Sequence, residues 1–453
     1  MSEGRLVKME VDYSATVDEV LPECQELAKA GEVKKAFEKL LSVEKKTRMS
    51  GDALSTGRVL KTIVQLCFDL RDWDSLNEHI VLLSKRRAQL KTAVAAMVEE
   101  ACKLVDQTPD KDTKLKLIST LRTVTEGKIY VEVPRARLTM ELAKMTESDG
   151  DISKAADILQ ELQVETYGSM EREEKVLFVI EQMRLCLAKK DYIRAQIISK
   201  KVSTKFFLGD TETIQDLKLR YYHLMIQMCQ HSKSYLDICR HYRSIFDTPK
   251  VQAEEQAWKE ALKNSVLYVL LAPHNNEQSD LLHRIYEEKK LSMIPLYKTL
   301  MECFRRQELL NWSMFQASYT AVLREGLPEE PATGVFAVGT EEGDMHWKDF
   351  EKKLIEHNLC VLAKYYTRIS LSRLSQLLLL NEQESEVYIS DLVTKKTIYA
   401  RIDRPAGVVS FSQTQDPSEI LNEWSTNLSN LMTLVSKTTH LINKEEMVHR
   451  LVK

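Results

Sequence analysis

The best candidate for metal chemistry is a pair of Cys-x-His segments in the middle of the chain. Cys229 and His231 form the first segment, and Cys239 and His241 form the second. Thiolate and imidazole groups are common zinc ligands. Residues two apart on a helix point to different sides of it, however, so the four groups cannot easily converge on one ion. We therefore interpret them as helix-packing residues and predict no metal and no other cofactor.

Motifs for nucleotide binding and for hydrolysis are incomplete or missing. A Glu-Gly-Lys tripeptide at 126–128 is followed by Ile129, and it lacks both the upstream glycine and the Ser or Thr of a phosphate-binding loop. The chain contains no G-x-S-x-G, no H-E-x-x-H and no G-x-G-x-x-G after a strand. The pair Glu341 and Glu342 lies in a polar stretch, where we expect solvated carboxylates. We therefore predict that the protein has no catalytic residues and is not an enzyme.

The segment from Tyr365 to Phe411 has the pattern of a small domain that binds a partner. A short helix is indicated by leucines at helical spacing, namely Leu374, Leu377 and Leu378. Asn381, followed three residues later by Glu384, is an Asn variant of the capping box and predicts the start of a second helix. Two helices joined by a short turn are therefore expected here.

The period of the apolar residues then drops to two, which is typical of strands. Tyr399 and Arg401 alternate with three apolar residues, namely Ile398, Ala400 and Ile402. The turn sequence at 403–407 follows, and Val409 and Phe411 resume the alternation. Two helices followed by two short strands predict a winged helix.

The charge of the second helix argues against nucleic acid as the partner. In a winged helix this element would enter the major groove with its N-terminal residues first. Here those residues are acidic, namely Glu382, Glu384, Glu386 and Asp391, and no basic residue occurs before Lys395. Because phosphate contacts supply much of the affinity for DNA, an acidic face would repel it. We therefore predict that the winged helix contacts protein.

The last segment has the pattern of a long helix that needs partners. Apolar residues recur at spacings of three and four in a seam that also includes Thr438: Leu421, Trp424, Leu428, Leu431, Val435 and Ile442. Ile420, Leu434 and Leu441 widen one flank of the seam. A wide stripe suits a helix surrounded by several others better than a two-stranded coil. We predict a subunit interface formed by these six seam residues together with Ile398 and Tyr399 of the wing.

The first half of the chain contains an internal repeat of about 40 residues. The residues that follow each small or acidic turn position are Glu32, Trp73, Ile152, Tyr192 and Tyr235, at spacings of 41, 79, 40 and 43. The spacing of 79 is two periods, so a further turn is expected near Lys111 and Asp112. A period of this length predicts stacked helix pairs in a solenoid. The aromatic residues at these turns are then core residues rather than ligand contacts.

Composition restricts the class of protein. The chain has 453 residues, with 64 basic and 67 acidic residues and a net charge of -3, which gives no signal for nucleic acid or for an anionic membrane. Only 13 Gly and 10 Pro favour a mostly helical fold. The longest apolar run is too short for a membrane span, and no secretory signal is visible. Eight scattered cysteines without a C-x-x-C suit a reducing compartment. We expect the cytoplasm and the nucleus.

These signals divide the chain into five parts. We expect a polar N-terminal segment (1–24), a TPR- or HEAT-like solenoid (25–240) and the last helical repeats (241–344), which end in a flexible loop at 325–344. A winged helix (345–415) and a C-terminal bundle helix (416–453) follow. The strand-like fragment from Ile129 to Pro134 is flanked by helical patterns, so we interpret it as a connection or a helix start.

A helical-repeat arm followed by a winged helix and a C-terminal helix is the PCI architecture. Segments from Val7 to Met447 closely resemble the PCI-domain subunits of the 26S proteasome lid: VKMEVDYSATVDE, LSKRRAQLK, TEGKIYVEVPRARLT, LQELQVETYGSM, EQMRLCLAKKDYIRAQIISKK, LAPHNNEQSDL and AKYYTRISLSRLSQLL. Seven segments in the same order make a chance likeness very improbable.

The resemblance implies a non-catalytic scaffold that supports lid assembly and the ATP-dependent degradation of ubiquitinated proteins. In that family the winged helices pack side by side and the C-terminal helices form a bundle. The implied partners are the other PCI subunits of the lid, the lid deubiquitinase subunit, and the proteasome base and core. A PCI scaffold of the signalosome or of a translation initiation complex is the alternative, which co-purification would distinguish. An enzyme would need a convergent polar cluster, and the sequence offers none.

Overall fold

The computed structural model describes residues 12–30, 32–209, 211–326, 331–412 and 417–451, which form two compact units. The first unit contains the chain up to Lys233 together with 248–250, and the second contains 234–247 and the chain from Val251 onward. The predicted mostly helical fold, with helical repeats before a small winged helix and a long terminal helix, is confirmed. Within the described residues, no helix is both long enough and apolar enough to cross a membrane.

The described part of the first unit is entirely helical. Its α-helices are α1 (Ser14–Lys29), α2 (Val33–Met49), α3 (Ala53–Asp69), α4 (Trp73–Lys85), α5 (Lys91–Val105), α6 (Lys111–Thr125), α7 (Glu132–Ser148), α8 (Ile152–Gln160), α9 (Arg172–Ala188), α10 (Tyr192–Ser199) and α11 (Glu212–Ser232). Short 3₁₀ turns lie at Ile129–Val131, Val164–Thr166 and Thr204–Leu208. The fragment at 129–134 is therefore a helix start, as predicted.

Aspartates at the helix starts fix the turns of the repeats. Four of them accept a hydrogen bond from the backbone N–H three residues later, namely Asp52, Asp72, Asp151 and Asp191. The residue before each has a positive φ of 74°, 56°, 89° and 65° in turn. The N–H of Asp72 also bonds to the Cys67 carbonyl at 3.2 Å, which closes the end of the preceding helix. These local signals place α4, α8 and α10 at the predicted turns. Without an aspartate cap, α12 also begins at its predicted turn, at Tyr235, and α6 begins at Lys111, where the further turn was expected.

The second unit begins with helices and ends with the winged helix. Its elements are α12 (Tyr235–Phe246), α13 (Pro249–Ala253, at the division), α14 (Glu255–Leu271), α15 (Asn276–Tyr286), α16 (Pro295–Arg305), α17 (Trp312–Thr320), α18 (Glu341–Tyr365), β1 (Arg368–Ser370), α19 (Leu371–Leu378), α20 (Glu382–Thr394), β2 (Arg401–Asp403), β3 (Val408–Ser410) and α21 (Pro417–Leu451). A 3₁₀ turn at Lys289–Met293 and a π-helical turn at Ala321–Glu325 complete the list.

The winged helix holds a three-stranded antiparallel sheet in the order β1-β3-β2. Its core is formed by residues of α18, α19, α20 and β3, including Leu359, Leu374, Ile389, Leu392 and Val409. The sequence prediction missed β1. The predicted strand at 398–402 is also wrong at its start, because β2 begins at Arg401 and the preceding residues lie outside the ladder.

The described part of the segment before α18 is held in place by buried side chains. A flexible loop was expected over 325–344, but Phe336 is fully buried and stacks edge-on against Trp347 and against Phe350. His346 Nδ1 lies 3.0 Å from the Val335 carbonyl oxygen. The helix that follows begins at Glu341 rather than at Met345. The expectation for 327–330 lies outside the described residues.

Candidate protein-interaction site

A long row of exposed apolar side chains lies on α21. This helix has 35 residues, and every side chain described on it, from Pro417 to Val448, is exposed. The six predicted seam residues are between 42% and 62% exposed: Leu421, Trp424, Leu428, Leu431, Val435 and Ile442. Soluble proteins rarely leave an apolar stripe of this size uncovered, so its presence indicates an interaction site.

The geometry of α21 brings the seam onto one stripe. Spacings of three and four return to the same side of a helix, and the distance from Leu421 to Ile442 is roughly 32 Å at a rise of about 1.5 Å per residue. Ile420, Leu434 and Leu441 are also exposed, as is Met432. The stripe is therefore wide enough to contact more than one neighbouring helix.

The two predicted wing residues have different surroundings. Ile398 is partly buried and packs against the core of its own winged helix, whereas Tyr399 is 40% exposed. Neither residue belongs to β2. Of the two, only Tyr399 presents much of its side chain for contact with another protein.

The start of α20 carries the predicted capping box. The Asn381 side chain accepts from the Glu384 backbone N–H, and the Glu384 carboxylate accepts from the Asn381 backbone N–H at 3.3 Å. On the same helix, Glu386 accepts a hydrogen bond of 2.7 Å from Nε of Arg404 in the wing. The N-terminal end of α20 thus remains acidic, which is unsuited to contact with phosphates.

A buried carboxylate joins α18 to the end of α20. Glu356 accepts hydrogen bonds from Lys353 at 2.6 Å and from Lys395 at 3.2 Å. Burial alone would raise the pKa of Glu356, but the two ammonium groups together outweigh that effect and lower it below its usual value. The carboxylate is therefore charged at neutral pH and holds the two helices together.

Family models match three consecutive parts of the chain. Residues 35–254 match the model described as PSMD12/CSN4, N-terminal, and residues 310–413 match the PCI domain. Residues 418–450 match the model described as 26S proteasome regulatory subunit RPN5 C-terminal domain. The third match covers almost all of α21.

Relatives from distant organisms align over nearly the whole chain. The 26S proteasome non-ATPase regulatory subunit 12 of Dictyostelium discoideum is 46% identical, over 98% of this chain and 96% of the relative. The 26S proteasome regulatory subunit RPN5 of Saccharomyces cerevisiae is 40% identical, over 100% of this chain and 99% of the relative. The 26S proteasome non-ATPase regulatory subunit 12 homolog A of Arabidopsis thaliana is 41% identical, over 93% of this chain and 98% of the relative. The chain belongs to the 26S proteasome non-ATPase regulatory subunit 12 family.

In this member of the regulatory subunit 12 family, the candidate metal residues have ordinary packing surroundings. The ring of His231 stacks on Tyr192 with centroids 3.6 Å apart. The Cys239 thiol lies 3.4 Å from the Ser265 carbonyl oxygen, and burial raises its pKa to about 11. A protonated, buried thiol is a poor metal ligand. Among the residues that the structure describes, no group of three or more His, Cys, Asp or Glu is arranged to hold a metal ion.

Sequence reasoning missed one part of the winged-helix surface. Because β1 was not recognised, Arg368 was not expected beside β3, and the solvent face of the sheet was not considered. The signal in the sequence is weak, since β1 has only three residues, and one buried residue between two exposed ones is too short a pattern to predict a strand.

Proposed function

We propose that this chain is a non-catalytic scaffold subunit of the 26S proteasome regulatory particle lid, and that it supports lid assembly and so the ATP-dependent degradation of ubiquitinated proteins. The observation that carries the proposal is the exposed stripe of α21, which lies in the part that matches the RPN5 C-terminal domain. The names of the relatives, all regulatory subunits of the proteasome, give the identity of the assembly.

The energetics favour a bound state for α21. Burying a large apolar side chain contributes about 1.5–3 kcal/mol relative to leaving it exposed. Six such residues along one stripe, from Leu421 to Ile442, act together, so their burial outweighs any single surface ion pair, which is worth about 0–1 kcal/mol. The helix therefore supplies a large part of the free energy that holds the subunit in its complex.

The partners in this proposal are the other PCI subunits of the lid, the lid deubiquitinase subunit, and the proteasome base and core. The C-terminal helices of the PCI subunits would cover the stripe of α21, and neighbouring winged helices would lie beside the wing near Tyr399. Neither nucleic acid nor membrane is a partner. The compartments are those of the assembly, the cytoplasm and the nucleus.

Two of the eight cysteines have thiols that are unsuited to nucleophilic catalysis, which supports the non-catalytic role in this proposal. Burial raises the pKa of Cys67 to about 12 and that of Cys102 to about 12. Since the thiolate is the nucleophile, these groups are almost entirely protonated and unreactive at neutral pH.

Co-purification tests the proposed function. An affinity-tagged full-length chain is expressed in cells and recovered at physiological salt, and its companions are identified by mass spectrometry. We expect lid subunits in near-equal amounts, with base and core subunits when ATP is present. Recovery of signalosome subunits or of translation initiation factors in place of the lid would show that the chain serves another PCI assembly.

A further inference from the structure

The strand register of the winged helix places two arginines on either side of one serine. Arg368 in β1 and Arg401 in β2 both lie opposite Ser410 of the central strand β3. Directly opposed residues of an antiparallel sheet point to the same face, so these three side chains share one face. The other face carries Ile369 and Val409, which are buried in the core. The Arg-Ser-Arg row therefore lies on the solvent face.

The row presents two positive charges close together. Neighbouring strands are about 4.8 Å apart, which places the Cα atoms of Arg368 and Arg401 about 10 Å apart. Both side chains are exposed, and neither forms an ion pair or hydrogen bond with any residue that the structure describes. The two positive charges repel each other. An anion bound between them would be attracted to both and would offset that repulsion.

Two acidic residues line the groove beside this row, and only Glu386 is paired with a cation. Glu386 accepts a hydrogen bond of 2.7 Å from Arg404, and the Asp403 carboxylate accepts one of 3.4 Å from the Ala406 backbone N–H. An open groove of about 1150 Å³ runs along this region, and both free arginines line it. The groove has room for a peptide segment, and its free donors are guanidinium groups.

The guanidinium groups of Arg368 and Arg401 favour an anionic ligand. A guanidinium group presents a planar fork of N–H donors that matches a carboxylate or a phosphate. A nucleic acid would bring phosphates, but it would also meet α20, which begins with Glu382 and contains Glu384 in its first turn. A protein segment with a few carboxylates can reach the row without meeting that acidic end.

We propose that the solvent face of the sheet binds an acidic segment of a neighbouring protein, through Arg368 and Arg401. In an extended segment, carboxylates two residues apart are about 7 Å apart, a spacing that two long arginine side chains can match. This inference rests on the proposed function, since it names the chemistry of one partner of the assembled subunit. It concerns the open face of the sheet, and not the strand edges or α21.

Charge reversal in the full-length chain is the first test. We expect R368E/R401E to reduce incorporation into the affinity-purified lid by about tenfold or more, which corresponds to about 1.4 kcal/mol. R373E is the matched control, because Arg373 is exposed on α19 of the same winged helix and lies outside the groove. Circular dichroism verifies folding, and R368Q/R401Q replaces the reversal if that variant misfolds.

Carbodiimide coupling is the second test, since it identifies the partner directly. In lid assembled with R368K/R401K, the reagent joins an amine to a carboxylate in direct contact with it. We expect cross-links from both altered positions to Asp or Glu of another subunit, and none from position 373 in R373K.

The outcomes separate this inference from the proposed function. If the unaltered chain does not enter the lid, the proposed function fails. If the unaltered chain enters and R368E/R401E enters equally well, or if coupling gives no intersubunit cross-link at 368 or 401, only this inference fails. Binding of duplex DNA that depends on both arginines would also overturn it.

Discussion

The Tyr235 hydroxyl donates a 2.8 Å hydrogen bond to the Asp349 carboxylate across 114 residues of sequence. The bond joins α12, at the start of the second unit, to α18, the helix that leads into the winged helix. Burial, and then the bond to the Asp349 carboxylate, raises the pKa of Tyr235 above its usual value. The pair therefore fixes α12 to α18, the helix that leads into the winged helix.

Removing this hydroxyl tests its contribution. We expect Tyr235→Phe to lower the free energy of unfolding by about 1–2 kcal/mol, because a partly buried carboxylate loses its donor. Urea denaturation of the full-length protein measures the change. Tyr365→Phe is the control, since that side chain is 67% exposed, and its stability should be unchanged. If Tyr235→Phe is as stable as Tyr365→Phe, the hydrogen bond to Asp349 does not stabilise the fold.

The first unit contains a fully buried carboxylate that joins α2 to the connection between α4 and α5. Glu44 of α2 accepts hydrogen bonds from Arg48 at 3.0 Å, from Gln89 at 3.2 Å and from Arg86. We expect Glu44→Gln to cost about 1.5–3 kcal/mol, since hydrogen bonds to charged groups are lost. The control is Glu38→Gln on the exposed side of the same helix. Urea denaturation measures the free energy of unfolding. An equal loss in both variants would show that the hydrogen bonds of Glu44 add no particular stability.

The pH dependence of the second unit should reflect Glu356. Its folded-state pKa is lowered, so its stabilising contribution is present above its ordinary pKa of 4.5 and is lost as the pH falls through the folded-state value. Without the ammonium groups, burial would raise this pKa. We therefore expect the double substitution Lys353→Met and Lys395→Met to move the acid loss of thermal stability to higher pH. An unchanged profile of melting temperature against pH would disprove the coupling.

The anchored segment before α18 depends on a glycine. A Cβ at Gly343 would lie 2.2 Å from the Ala337 carbonyl oxygen, and this oxygen is backbone and cannot easily move. We expect Gly343→Ala to destabilise the protein by about 1–3 kcal/mol, as overpacking does, and to loosen Phe336. Calorimetry measures the loss. Gly168→Ala should be harmless, since nothing lies within 4 Å of the added carbon.

The parts of the fold that local chemistry determines could be predicted from the sequence. The repeat turns follow from caps such as Asp72 and Asp191, each of which satisfies backbone donors a few residues away. The start of α20 follows from Asn381 and Glu384 for the same reason. The seam of α21 is visible because a helical stripe depends only on spacing.

The parts that depend on distant pairing could not be predicted. β1 exists because Arg368–Ser370 pairs with β3, far along the chain, and its three residues are too few to show a recognisable period. The alternation of apolar and polar residues begins at Ile398, before the start of β2. The strand itself is shorter because only residues 408–410 of β3 pair with it. The burial of Phe336 likewise depends on Trp347 and Phe350, and a stretch rich in Gly, Pro and acidic residues gives no local sign of it.

Truncation of α21 shows whether its apolar stripe holds the subunit in the lid. One chain ends after Pro417 and loses the helix, whereas the other ends after Lys444 and keeps the seam from Leu421 to Ile442. Both are expressed with an affinity tag in cells that lack the native copy, and their share of purified lid is measured by quantitative mass spectrometry. We expect the shorter chain to stay folded but to be absent from the lid, and the longer chain to join it. Normal assembly of the chain that ends after Pro417 would show that α21 is dispensable and that the winged helix attaches the subunit.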